Sequence, residues 1–290
     1  MGKFHDLMDR ELRIRGMSQS TRESYLRNVR CFVRHFMRPP DQLGAEEVKR
    51  YQLHLAKERR LAWGTFNQHV CAIRFFYRHV VAAPWEVEAI PYQKTGRRLP
   101  VVLSGEEVLA LIEAAQNVKH RAILMALYAG GLRVSEATHL RVEDIDGKRM
   151  TIRVVQGKGR KDRYVMLSAK LLDVLRRYWA QERPVGPWLF PGPDASRPLT
   201  SSTVEKVLAC AREKAGIRKR VHPHTLRHCF ATHLLERGAN IRVIQRLLGH
   251  GSLRSTEIYT HVAETYVRDT TSPLDELLPA VEVAEVRPAG

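Results

Sequence analysis

The sequence predicts a two-domain, mainly helical protein with one small antiparallel β-sheet in its second half. Three observations carry this. The chain has 290 residues, too many for one small domain and comfortable for two. Apolar residues recur at helical spacing through most of it. Residues 150–167 instead alternate polar and apolar side chains on either side of a glycine-rich turn.

The first domain, residues 1–90, reads as helices. Ser18 and Ser20 are N-cap candidates for a segment in which Tyr25, Val29, Phe32, Val33 and Phe36 share a face, with Pro39-Pro40 ending it. A second helix is expected from Ala45 to Arg59. A third runs from about Thr65 to Pro84, with Val70, Ile73, Phe76, Tyr77 and Val80 on one face. The opposite faces carry Arg22, Arg27, Arg30, Arg34, Arg74 and Arg78. Any one of these suits a solvated face; as a set with few acids nearby they suit a polyanion. Residues 91–103 lose apolar periodicity and hold Lys94, Arg97 and Arg98, as a basic linker on a phosphate backbone would.

A second domain, 104–270, opens with a capping box, Ser104 and Glu107. Helices are expected at about 119–129 and 134–140. Met150–Val155 and Arg163–Leu167 then form a hairpin around Gly157-Lys158-Gly159-Arg160-Lys161. Further helices follow near 168–181, 201–215, 225–237 and 241–248. Residues 271–290 form a tail whose last dozen residues look frayed.

Composition narrows the function. Lys and Arg total 48 against 31 acids, a net charge of +17 shared between both halves, so nucleic acid is the default partner. Cys31, Cys71, Cys210 and Cys229 form no C-x-x-C pair, which argues against zinc fingers and disulfides and for reduced, buried thiols. Neither a signal peptide nor a stretch of roughly 18 apolar residues is present, so the expected location is the cytoplasm, without membrane.

Three segments of the second domain place polar clusters in apolar surroundings. The first is Gly130-Gly131-Leu132-Arg133-Val134-Ser135-Glu136, where an arginine at a helix mouth can present its fork to a phosphate or pair with Glu136 one turn on. The second is His222 to His228, with His224 and Arg227 three apart on one face. The third runs from Leu247-Leu248-Gly249-His250 to Tyr259-Thr260-His261. His224 and His228 have metal-ligand spacing, but no glutamate accompanies them and Arg227 lies between, which opposes a cation. No metal site and no cofactor are expected. A serine hydrolase is excluded by the lack of a G-x-S-x-G elbow.

Together these segments resemble the tyrosine recombinase (phage integrase) family, of the Xer and integrase kind. The resemblance rests on G-L-R-V-S-E, G-K-G-R-K-D-R, H-T-L-R-H-C-F-A-T-H-L and L-G-H-G-S-L-R-S-T-E-I-Y-T-H-V, and covers about Ser104 to Val267. The family order of Arg, Lys, His-x-x-Arg, His and Tyr is met by Arg133, Lys158, His224, Arg227, His250 and Tyr259. The resemblance implies a helical core-binding domain and a mixed α/β catalytic domain closing on DNA. Four protomers would act on two sites of paired inverted sequence, with the segment Glu264–Leu278 docking on a neighbour, the alternative being a short helix packed back on its own domain. The chemistry makes the same demand. Arg133 and Arg227 neutralise the non-bridging oxygens of a phosphodiester and His250 donates to one of them. Tyr259 is the nucleophile, His224 the base candidate, with the clamped cations as an alternative aid, and Lys158 the acid for the 5′-oxygen, with Lys161 as rival. Glu136 orients a clamp member, and His228, His233 and His261 are structural or hydrogen-bonding. Arg160 and Lys161 join the DNA-contact set. A phosphotyrosyl ester conserves bond energy, so ATP is not needed. A single-site topoisomerase and a non-catalytic DNA-binding regulator are the alternatives. The target sequence, any accessory protein, and the choice among phage integration, mobile-element movement and chromosome resolution are not legible.

Overall fold

The computed structural model describes residues 2–83, 85, 87–93, 99–155, 162–250 and 252–260. The chain divides into two compact units, Met1–Arg97 and Arg98–Gly290.

The first unit holds α1 (Gly2–Ile14), α2 (Gln19–Phe36), α3 (Ala45–Lys57) and α4 (Trp63–Phe76). Ser18 caps α2 through Thr21 N–H. The helix stops one residue before Met37, whose φ of 51° is left-handed, so it ends ahead of the proline pair. Glu47 accepts from Gly44 N–H at 2.8 Å and starts α3. Phe32 centres the core, edge-on to Tyr51 and Tyr77, and the Tyr77 hydroxyl donates to Pro40 O at 3.0 Å. α4 passes into a wide turn over Tyr77–Val81, and Ala82 leaves it at φ 53°.

The arginine face differs from the expected one. Arg27, Arg30 and Arg34 are exposed on α2. Arg22 instead pairs with Asp9 of α1 at 2.9 Å. Arg74 lies 4.1 Å from the Tyr92 ring centroid and donates to the carbonyls of Glu88 and Ile90, and Arg78 pairs with Glu88. These three tie the unit together because acids and carbonyls distant in sequence come within reach of them. Lys94, Arg97 and Arg98 lie outside the described residues.

The second unit contains α5 (Gly105–Glu113), α6 (Val118–Ala129), α7 (Val134–Thr138), β1 (Ile145–Asp146), β2 (Thr151–Val154), β3 (Arg163–Met166), α8 (Ala169–Glu182), α9 (Ser201–Lys214), α10 (Pro223–Glu236) and α11 (Ile241–Leu248). Ser104 and Glu107 form the capping box reciprocally. The sheet is antiparallel in the order β1-β2-β3, with Ile152 facing Val165 and Val154 facing Arg163. The two-residue β1 was not expected, being too short to show alternation. Ile152, Val154 and Val165 turn inward to the core of α5, α6, α8, α9 and α10. α10 is apolar on most sides, burying Leu226, Cys229, Phe230 and Ala231, so the polar residues it carries sit at the edge of a packed core.

The cysteines correct one expectation. All are free thiols, but only Cys229 is buried; Cys71 is half-buried, and Cys31 and Cys210 are exposed on the outer faces of α2 and α9. Cysteine is a weak marker of burial when its helix has a polar face. No helix among the described residues is long and apolar enough to cross a membrane.

Candidate active site

The site begins with a turn. Gly131 takes φ +56°, and a Cβ there would meet the Phe230 ring at 2.4 Å, so only glycine lets the chain pass α10. Two residues on, Arg133 is the N-cap of α7. Its N–H donates to Glu136 Oε2 at 2.8 Å, and its Nη1 to Oε1 at 2.7 Å. The expected pair therefore forms, as a half-buried anchor rather than a surface bridge.

Glu136 gathers two more arginines. Arg163 of β3 grips it with both Nη atoms at 2.8 Å, and Arg227 Nη1 of α10 lies 3.8 Å from Oε2. Burial alone would raise the Glu136 carboxyl. The hydrogen bonds from Arg163 and Arg133 overcome it and hold the group at about 2. Arg227 donates to Gly131 O at 2.6 Å and to Leu248 O, joining the turn before α7 to the end of α11. Burial and the neighbouring Arg133 bring its guanidinium down to about 10, still charged at neutral pH. Side-chain exposure orders the three: Arg227 4%, Arg163 11%, Arg133 18%. Arg133 is the member most open to a ligand. Three positive groups surround one negative one, so this cluster carries an uncompensated charge suited to an anion.

Tyr259 ends a 3-10 turn, Glu257–Tyr259, and packs with Phe230, Ala231, Leu235, Ile244 and Leu248. It is both a core tyrosine and a polar one. Its hydroxyl shares a hydrogen bond of 3.0 Å with His228 Nδ1. Burial raises the phenol above its ordinary value, while Arg227 and Arg133 pull the other way and lose. The cations do not ionise Tyr259 by themselves in this state. Burial, with His224 and Arg227 beside it, pushes His228 down to about 4, so the ring is neutral at pH 7. His224 is exposed, and its pKa is lowered by desolvation and by Arg227 and Arg133. The imidazole recorded against the phenol is His228, whereas the sequence assigned the base to His224.

His250 Nδ1 pairs with the buried Thr256 hydroxyl at 2.9 Å, which orients the ring. Of the other histidines set aside as structural, His233 bridges the Tyr128 hydroxyl and Leu103 O; His261 lies outside the described residues. Lys158, Arg160 and Lys161 also lie outside them, although β2 and β3 lead to that turn. Among the described residues no group of three His, Cys, Asp or Glu side chains could hold a metal ion. Arg163 and the His228–Tyr259 bond were missed. Arg163 ends the quoted string G-K-G-R-K-D-R, two residues beyond Lys161, which was the signal that could have pointed to it.

A model of the "phage integrase family" matches residues 101–265, and one of the "phage integrase, N-terminal SAM-like domain" matches residues 4–87. The chain is 46% identical to the "Putative integrase/recombinase y4qK" of Sinorhizobium fredii over 280 residues, 96% of this chain and 90% of that one. The chain belongs to the phage integrase family of tyrosine recombinases. The recombinase is also 34% identical to the tyrosine recombinase XerC of Halalkalibacterium halodurans, covering 84% of this chain and 86% of that one. The crystal structure of XerH bound to palindromic difH substrate shares its fold, with a TM-score of 0.72, 22% identity, and coverage of 88% of this chain and 80% of that one. The SAM-like helical unit and the integrase unit with its three-stranded sheet are the mainly helical, two-domain architecture that the sequence predicts.

Proposed function

We propose that this recombinase cleaves one DNA strand by in-line attack of Tyr259 on a phosphodiester seated at Arg133 and Arg227. Site-specific DNA recombination is the activity of the family. The observation that carries it is the guanidinium triad around Glu136, with excess positive charge, two of whose members, Arg227 and Arg133, act electrostatically on the Tyr259 hydroxyl. The phosphodiester brings one negative charge and its pentacoordinate transition state a second, which Arg133, Arg227 and His250 stabilise. Loss of one such donor costs about 3 kcal/mol, roughly a hundredfold in rate.

The phenol must lose its proton as it attacks, and neutral imidazoles stand ready. His228 touches the hydroxyl, and His224, one turn earlier on α10, is the base named from the sequence; single substitutions separate them. The P–O5′ bond breaks as the Tyr259–O–P bond forms at the 3′ phosphate, and Lys158 supplies the proton to the departing 5′-oxygen. The reverse reaction joins a new 5′-hydroxyl with no ATP, because the ester stores the bond energy. No step calls for a metal ion.

XerH was solved on a palindromic substrate and a lambda integrase dimer on a core site, which supports paired inverted half-sites for this chain; assembly of four protomers on two sites follows from the family resemblance alone. Residues 1–90, the basic linker 91–103 and residues 104–270 would contact DNA in the cytoplasm, with residues 271–290 reserved for protomer contacts. Exposed Arg27 and Arg30 on α2 are the best-placed N-terminal contacts.

The test uses a nicked suicide substrate carrying the target site, which traps the covalent intermediate. Wild type forms a denaturant-resistant protein–DNA adduct and Tyr259→Phe forms none while binding DNA normally. An adduct that survives in Tyr259→Phe removes this reading.

A further inference from the structure

Arg163, unlike the residues named from the sequence, ties the sheet to the site. It leaves β3 at the end of the hairpin and sends its guanidinium in two directions. Both Nη atoms bond the two oxygens of Glu136 at 2.8 Å, and Nε donates to Leu247 O at 2.8 Å. Glu136 in turn fixes the backbone and side chain of Arg133. Leu247 lies three residues before His250, and between them Gly249 takes φ +62° with an added Cβ at 3.0 Å from Arg163 Cδ. That glycine gives the aliphatic stem of Arg163 its room. One side chain thus joins the sheet, the N-cap of α7 and the C-terminus of α11. Its Nε and both Nη atoms are engaged inside the protein and its side chain is only 11% exposed, so it is not placed to meet DNA.

We propose that Arg163 is a positioning residue of the cleavage reaction. It clamps Glu136 to the Leu247 carbonyl, so that Arg133 is aimed at the scissile phosphate in register with His250. The inference rests on the proposed reading of Arg133 as a phosphate ligand. Lysine cannot replace it, since one ammonium cannot span a carboxylate and a carbonyl with a planar fork.

The experiment compares wild type, Arg163→Lys and Arg163→Ala on three suicide substrates: the ordinary phosphodiester, a methylphosphonate at the scissile position, and a 5′-bridging phosphorothiolate. On the ordinary substrate both variants should lose roughly a hundredfold in cleavage rate, the size of a lost oxyanion donor, with DNA affinity unchanged. The methylphosphonate is neutral and needs its charge balanced less, so it should erase most of the gap between variant and wild type. The phosphorothiolate, which removes the need for a general acid, should not. Rescue by the phosphorothiolate alone would instead make Arg163 a support for the hairpin acid, and rescue by neither would make it a fold strut; both overturn the proposal. Arg163→Lys preserves charge and bulk, and its DNA affinity and melting temperature report that the variant is folded. Tyr259→Phe on the same substrates tests the nucleophile separately, because the rate ratios for Arg163 hold whichever residue attacks.

Discussion

Replacing Glu136 with glutamine keeps the shape of the side chain and removes the one negative charge under three guanidiniums. The magnitude follows from its titration. An ordinary glutamate titrates at 4.5 and Glu136 at about 2, which at 1.36 kcal/mol per pH unit is about 3 kcal/mol in favour of the charged, folded form. With 6% of the side chain exposed, solvent screens little of it. The folded pKa is depressed, so this stability is fully present above pH 4.5 and is lost as pH falls through 2. Glu136→Gln should therefore melt about 6–12 °C lower at pH 7, taking 2–4 °C per kcal/mol for a unit of this size. The difference between variant and wild type should shrink as pH falls from 4.5 toward 2. Calorimetry at pH 7 and 3.5 measures both. An unchanged melting temperature at pH 7 would show that the carboxylate holds nothing the amide does not.

Other consequences are equally direct. His228 titrates at about 4 in the fold, below its ordinary 6.5, so it contributes stability above pH 6.5 that is lost as pH falls through 4; this amounts to at most about 3 kcal/mol, and the pH dependence of wild type minus His228→Asn in chemical denaturation should display it. Lys158→Ala should cleave an ordinary phosphodiester slowly and recover with a 5′-bridging sulfur, which leaves without a proton; rescue of Lys161→Ala instead would move the acid along the turn. DNA affinity should fall log-linearly with salt, and Arg27→Ala with Arg30→Ala should flatten that slope by about one to two phosphate contacts in fluorescence titrations, an unchanged slope placing α2 away from DNA.

Local signals made much of the fold legible. The Ser18 cap, the Ser104–Glu107 box and the alternation on either side of residues 157–161 each depend on residues within a few positions, and the two capped helices and the two paired strands are present. The Arg133–Glu136 bond was legible for the same reason. Arg163 was not, because it meets Glu136 and Leu247 from 27 and 84 residues away, a meeting that no periodicity records. The His228–Tyr259 bond spans 31 residues and was equally hidden. Arg22 and Arg74 belong by helical spacing to the set expected to face a polyanion, yet long side chains swing to distant acids and carbonyls once the chain folds.

Tyr259 is the residue to which DNA is expected to be joined. The most direct measurement traps the intermediate on a suicide substrate, digests protein and DNA to a short nucleotide stub, and maps the modified peptide by mass spectrometry. A 3′-phosphotyrosyl linkage on Tyr259 is expected in metal-free buffer with excess EDTA. A stub on any other residue, or an adduct that forms only when a divalent metal is restored, would contradict it.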